Sequence, residues 1–437
     1  MKSENIQIIV TGVFIFFAVV GVILFSVSST KKGAVENPRV VIWGLIEKNK
    51  FTPIVEEANI GAPGTTNLEY VEKQSEEELE QDLVTALLDK SGIPDGLIIP
   101  DRLLMKLQKR LTLISWTAVS ERTLKDTYSE AGEIFFAPSG TYAIPFLIDP
   151  LVLYWNRDMF NSKLITKTPE TWEELTKLVP IFTEKKEDKS IAKNAIALGE
   201  YQNIPRAKEI IGAMTLQSGG KIVLQKENKF QEDVLETLTG LEVSPLQTVL
   251  TYFTEFADPA SPLFSWSRAL PDALTMFLGS DSAMYIGFGS EAATLRSKNP
   301  NLNLDIAFLP QATGAAKKVT FGNVYGIAIV DASPNKAAML NTAFVLTNTT
   351  FQEKFSDVNK MAPVRRDMLA NPPGSGVLDV VWKSALWSKS WLDPDYATTA
   401  NLFKSMIESV TSGKELVLGA VVQFQKELKE ILDEYNK

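Results

Sequence analysis

The chain has 437 residues, with 44 lysines and arginines against 53 aspartates and glutamates, for a formal net charge of -9. That balance leaves no basic surface able to neutralise many phosphates, so nucleic acid is excluded as a partner. Histidine and cysteine are both absent, which removes Ser-His-Asp triads, His-ligated zinc, thiolate nucleophiles, iron-sulfur clusters and disulfides. Carboxylate, lysine, tyrosine or serine chemistry, carboxylate-bound metals, or binding without chemistry remain.

Ile6 to Val27 carries no charged residue, and as a helix rising 1.5 Å per residue it spans roughly 33 Å, enough to cross a hydrocarbon core. It exceeds the apolar stretch of an ordinary cleaved signal, and Lys2 is the only basic side chain before it. An uncleaved transmembrane anchor over residues 1–30 is therefore expected ahead of a signal peptide, although Ser26–Ser28 leaves a cleavage point open. Lys31 and Lys32 follow the apolar run, and by the positive-inside rule they favour the opposite orientation. Residues 31–37 read as a polar linker, and the roughly 400 residues beyond suit two domains.

From residue 38 strands and helices alternate. VVIWGL is a buried strand, NLEYVEK a second, and the helix that follows opens on a capping box of Ser75 and Glu78, repeats Leu79, Leu83 and Leu87 on one face and stops at Gly92. DGLIIP is a third strand and DRLLMKLQKR another helix. Further strands are expected at 195–199, 283–287, 305–310 and 324–330, with helices starting at Thr168–Pro169, ending at Pro180, and at Ser333–Pro334. Beyond about residue 366 the chain reads as helical. The alternation indicates an α/β sheet with parallel pairs. Neither GxGxxG after a strand nor GxxxxGK[ST] occurs, so nucleotide binding has no support.

One strand breaks its own pattern. In YAIPFLIDPLVLYWNRDMF, Tyr142 to Phe160, an acid and a proline, Asp149 and Pro150, interrupt an otherwise apolar run, where proline can donate no sheet hydrogen bond. A bend with a solvated carboxylate is the plain reading.

The stretches GTYAIPFLIDPLVLYWNRDMFN, TPETWEELTKLVPIFT, AIALGEYQNIPRAKEIIGAMTLQSGGKIV, ALPDALTMFLGSDSAMYIGFGSE, GNVYGIAIVDASPNKAAMLNTAFVLTN and KMAPVRRDML, in this order, resemble the extracellular solute-binding proteins of ABC importers, the group of sugar binders that includes maltose-binding protein. The resemblance covers nearly everything after residue 38. It implies a two-lobed periplasmic-binding-protein-like α/β fold of type II with three hinge crossings, residues 38–148 with 322–361 forming lobe 1 and 149–321 with 362–437 forming lobe 2. It further implies no catalysis and no cofactor, a small polar solute such as a sugar or oligosaccharide held between the lobes, delivery to an ABC permease, and a globular domain outside the cytoplasm on a single-pass anchor. Asp149 and Pro150 would then sit at a crossing beside the cleft, the proline fixing the backbone and the Asp149 carboxylate accepting hydrogen bonds from ligand hydroxyls. The chain departs from many relatives in lacking a lipoprotein cysteine and a tryptophan near Ser290 and Glu291. A ligand-sensing or scaffold module and a carboxylate-based glycan-acting enzyme are the alternative readings.

Candidate cleft residues follow from strand ends, where open α/β sheets hold ligands. Trp43 offers a ring for stacking or a core packing unit; Asp101 is a ligand acceptor or a helix cap. By the resemblance Asn203 matches a loop position near ligand, an ordinary turn asparagine being its plainer role, and Ser290 and Glu291 follow a glycine-rich strand end, with Glu291 also suited to start a helix. By the resemblance Asn323 and Tyr325 belong to the second crossing and Arg365 to the third, pairing of Arg365 with Asp367 being its plainer role. Trp387 and Trp391 share a face if helical, and with Trp382 they suit packing between helices, one of the three being available to the cleft.

Overall fold

The computed structural model describes residues 39–60, 67–226, 229–237, 242–315 and 317–437. The expected membrane anchor and linker lie outside these residues. Among the described residues no helix is long and apolar enough to cross a membrane.

Nine strands make one sheet: β1 (Arg39–Gly44), β2 (Asn67–Glu72), β3 (Gly96–Pro100), β4 (Ala143–Asn156), β5 (Met284–Phe288), β6 (Leu304–Phe308), β7 (Thr320–Ile329), β8 (Ala362–Pro363) and β9 (Ser388–Lys389). The central path runs β5-β4-β7-β3-β1-β2. The expected parallel pairs are β1 with β2 and β1 with β3. The middle of the sheet is antiparallel, β7 running against both β3 and β4.

Strand β4 explains the interrupted pattern. Its first half pairs with β7 and β8, Asp149 lying opposite Asn323 and Pro150 opposite Gly322. From Leu151 onward its partners are β5 and β6. Asp149 and Pro150 thus occupy the point where the strand changes neighbours, a place where a missing N–H costs least. A bulge between Tyr325 and Gly326 shifts the β7 register beside this point; a Cβ on Gly326 would come within 2.7 Å of the Phe135 ring, so only glycine fits there.

Helices cover the sheet: α1 (Lys48–Ile60), α2 (Glu76–Asp89), α3 (Leu104–Leu107), α4 (Trp172–Phe182), α5 (Ala207–Gln217), α6 (Pro245–Glu255), α7 (Ala273–Leu278), α8 (Glu291–Lys298), α9 (Lys336–Leu346), α10 (Thr349–Asn359), α11 (Gly376–Ala385), α12 (Tyr396–Thr411) and α13 (Val417–Tyr435). Leu79 and Leu83 of α2 are fully buried, as their spacing requires, and Leu87 is partly so.

Several boundaries differ from expectation. The Ser75 hydroxyl accepts the Glu78 N–H, but Glu78 reaches back to the Gln74 N–H rather than to that of Ser75. Helix α2 ends on left-handed Lys90, before Gly92. Thr171, not Thr168, caps α4, and Pro180 sits inside its last turn. Helix α9 follows Asn335. Residues 195–199 form no strand: the Ala195 carbonyl accepts the Met284 N–H, and the segment ends on Gly199 at φ +101. Trp387 and Trp391 share no helix face, because α11 ends at Ala385 and β9 intervenes.

Candidate functional site

At the strand crossing the chain buries two carboxyls, Asp101 and Asp149. Asp101 follows β3 directly and is 2% exposed. It is no helix cap: its Oδ1 accepts the Val324 N–H of β7 at 2.9 Å and its Oδ2 accepts the Ser390 hydroxyl. Burial pushes this carboxyl up to about 6, against the lowering effect of those two bonds and of Arg102. Asp149, 3% exposed, accepts both the N–H (3.0 Å) and the hydroxyl (2.6 Å) of Ser290. Burial again dominates and pushes it up to about 7, with Glu291 adding to the rise. A buried carboxylate held only by neutral donors is destabilised relative to its neutral form.

Glu291 begins α8 and is spoken for: Oε1 accepts Arg206 Nε and the Phe288 N–H, each at 3.0 Å, and Oε2 accepts the Tyr285 hydroxyl at 2.8 Å. Tyr325 lies opposite Pro100 and Leu147; burial raises its phenol to about 12, Arg102 lowering it and Asp149 raising it. Asn323 lines a small cavity with Arg102, Lys208, Glu209, Ser390 and Tyr396. The space between these groups holds about one water molecule.

Three expected cleft residues have other tasks. Trp43 is packed in the core with the Lys73 ammonium 4.0 Å from its ring centroid. Asn203 spends every side-chain polar atom internally, Nδ2 donating to the Ser267 and Leu270 carbonyls and Oδ1 accepting Trp266 Nε1. Arg365 is paired in bidentate fashion with Asp367, at 3.0 and 2.7 Å. Of the three tryptophans, Trp391 lines the cavity, whereas Trp382 donates to Ser356 and Trp387 packs on Phe308.

The residues that sequence reading missed are Arg102, Lys208, Glu209, Asp393 and Tyr396. Lys208 and Asp393 form a pair at 2.6 Å with both side chains 4% exposed. The ammonium also donates to the Thr399 hydroxyl and the Tyr396 carbonyl. Glu209 Oε1 accepts the Tyr396 hydroxyl at 2.6 Å. The signal for two of them was present: α5 is apolar along almost its whole length, and two adjacent charges in such a helix must find buried partners. Among the described residues no cluster of acids is arranged to hold a metal ion.

Contacts also join α3 and its neighbourhood to the start of α12. Lys106 of α3 bonds Glu80 at 2.7 Å and Asp395, the α12 cap, at 2.9 Å. Arg102, ion-paired with Glu76, lies 5.2 Å from the Tyr396 ring centroid. A sheet whose long strands pass from one set of helices to another, with polar groups converging at the crossing, defines a two-lobed binding protein.

The sequence profile of the bacterial extracellular solute-binding proteins matches residues 51–350. The chain belongs to that family, which assigns it solute binding rather than catalysis and places its globular part outside the cytoplasm. Solved structures share the two-lobed fold. A cyclo/maltodextrin-binding protein complexed with maltotetraose superposes with a TM-score of 0.71 at 15% identity, over 91% of this chain and 98% of its own. The cyclic alpha-maltosyl-1,6-maltose binding protein from Arthrobacter globiformis gives 0.72 at 15% identity, over 91% and 100%. A maltose-binding periplasmic protein from Listeria monocytogenes, in complex with maltose, gives 0.69 at 18%, over 91% and 99%. No curated protein matches the chain in sequence.

Proposed function

We propose that the chain is a receptor that captures a carbohydrate between its lobes and hands it to an ABC permease, with its apolar N-terminal segment as a membrane anchor. The observation that carries this reading is the convergence of Arg102, Lys208, Glu209, Asn323, Ser390 and Tyr396 on one cavity, with Asp101 behind it accepting the Ser390 hydroxyl. Carbohydrate hydroxyls both donate and accept, and such a mixed set of acids, bases and amides matches them. The sugar complexes of the structural neighbours support the same class of solute.

Lobe 1 is proposed as residues 38–148 with 322–361 and lobe 2 as 149–321 with 362–437. The change of partners at Asp149 and Pro150 supports the first boundary. Ligand contacts to both lobes would then favour the closed population over the open one, and the closed surface would be what a permease reads. Asp149, Ser290, Glu291 and Tyr325 act at the crossing, as supports for the groups that line the cavity.

The test is thermal unfolding of the full-length protein with mono- and oligosaccharides, polyols and peptides. A solute at about 100 times its dissociation constant adds roughly 2.7 kcal/mol, a rise of several degrees. A shift confined to carbohydrates or polyols is expected; a shift with peptides alone, or none, overturns the carbohydrate reading.

A further inference from the structure

Two residues that line the cavity each carry a buried side-chain atom with no hydrogen-bond partner. Glu209 is 4% exposed; its Oε1 serves the Tyr396 hydroxyl, and its Oε2 is buried with no hydrogen-bond partner. Arg102 uses its Nη2 on Glu76, and its Nε is buried with no acceptor. Both residues line the same cavity, with Tyr396 beside each. An unpaired buried acceptor on a charged group is costly, and here an unpaired donor accompanies it.

The aromatic side chains around the cavity are already engaged. The Lys208 ammonium stands 3.9 Å from the Tyr396 ring centroid and 5.4 Å from that of Trp391, and the Arg102 guanidinium also approaches Tyr396. Phe321 is buried and faces α5 at Gly212. A sugar ring stacking here would have to displace cations that are themselves bonded to Asp393 and Glu76. The cavity is accordingly equipped for hydrogen bonding and poorly equipped for stacking.

We infer that Glu209 and Arg102 form a subsite for a pair of neighbouring ligand hydroxyls, one donating to Glu209 Oε2 and the other accepting from Arg102 Nε, and that the solute is compact: a monosaccharide or polyol rather than an oligosaccharide. The inference rests on the carbohydrate reading above and narrows it. Glu209 sets specificity by demanding a donor; the space between the lining groups must widen by lobe opening to admit any sugar, and the cation-covered rings of Tyr396 and Trp391 leave no free face for a chain of stacked units.

The experiment is titration of full-length wild type and Glu209→Gln with D-glucose, D-mannose, sorbitol, maltose and maltotetraose, read by calorimetry and by melting shift, followed by deoxy analogues of the probe that binds. Wild type is expected to bind a monosaccharide or sorbitol, E209Q to bind it about 10- to 100-fold more weakly, and one deoxy analogue to lose affinity in wild type but not in the variant. If E209Q is unfolded, Glu209→Asp, which keeps the charge and withdraws the oxygen, takes its place. Binding of maltotetraose with no response to the small probes overturns the compact class while leaving the carbohydrate reading intact. Unchanged affinity in E209Q, or in E209D where that variant replaces it, overturns the subsite alone. No binding of any probe by wild type overturns both.

Discussion

Ser290 grips Asp149 with two hydrogen bonds, from its N–H at 3.0 Å and its hydroxyl at 2.6 Å, at the residue where β4 changes partners. The bonds join the crossing strand to the start of α8, yet they do not offset the burial that pushes Asp149 up to about 7. A carboxyl whose folded-state value lies above its ordinary one binds a proton on folding between the two, so its contribution favours folding at low pH and is lost as pH rises from about 4 towards 7. Asp101, pushed up to about 6, acts in the same direction. Asp149→Asn keeps the shape without the charge. The variant's stability relative to wild type is expected to climb by roughly 2 to 4 kcal/mol between pH 4 and pH 8, measured by urea unfolding. A difference that stays flat with pH would refute the assignment.

The Lys208–Asp393 pair is sealed from solvent, which makes it sensitive to the loss of either partner. Lys208→Met strands a buried carboxylate and is expected to cost about 3 to 5 kcal/mol. Adding Asp393→Asn removes the stranded charge, and the double variant should recover more than half of that loss. Denaturant melts of the four proteins of the cycle measure it; additive losses would mean that the two side chains act independently.

Lys106 holds Glu80 and Asp395 at once, linking α2 and α3 to the cap of α12. Because these groups are partly exposed, Lys106→Ala should change stability by no more than about 1 kcal/mol. Its effect belongs to the junction of the two proposed lobes, where it removes a tie between α3 and the start of α12. The ligand-free variant is expected to scatter X-rays as a more extended particle than wild type, with an increased radius of gyration, and an unchanged radius would count against a latch at this position.

Gln217 is a buried junction. Its amide nitrogen Nε2 donates to the Pro310 and Val319 carbonyls at 2.9 Å each, and its Oε1 accepts the Trp172 indole N–H at 2.6 Å. Gln217→Leu fits the volume but removes three buried hydrogen bonds, and a loss of about 2 to 4 kcal/mol is expected. Melting of the variant measures this, and a loss below 1 kcal/mol would show that the loop re-pairs elsewhere.

The sequence made the fold legible because strand and helix periodicities are local and because the interrupted strand marks its own crossing. Asp149 and Pro150 looked anomalous in a buried run and proved to stand where β4 changes neighbours. Boundaries were less legible: Lys90 ends a helix in left-handed backbone although Gly92 stood two residues on. The site was read only in part. Arg365 took the partner two residues on, Asp367, that its sequence already offered, whereas the polar groups of Asn203 are claimed by residues far along the chain, Trp266 among them. Conversely, Glu209 and Tyr396 meet across 187 positions, a distance over which no periodic pattern extends.

Strand β4 has a final consequence. Its fourteen residues run unbroken through Asp149, with β7 and β8 on one stretch and β5 and β6 on the other. No cut in the chain separates the two ends of the sheet without robbing one of them of its central strand. Each half therefore lends the other a template for assembly, and the molecule should melt in a single cooperative transition, its parts inseparable by proteolysis or by genetic dissection.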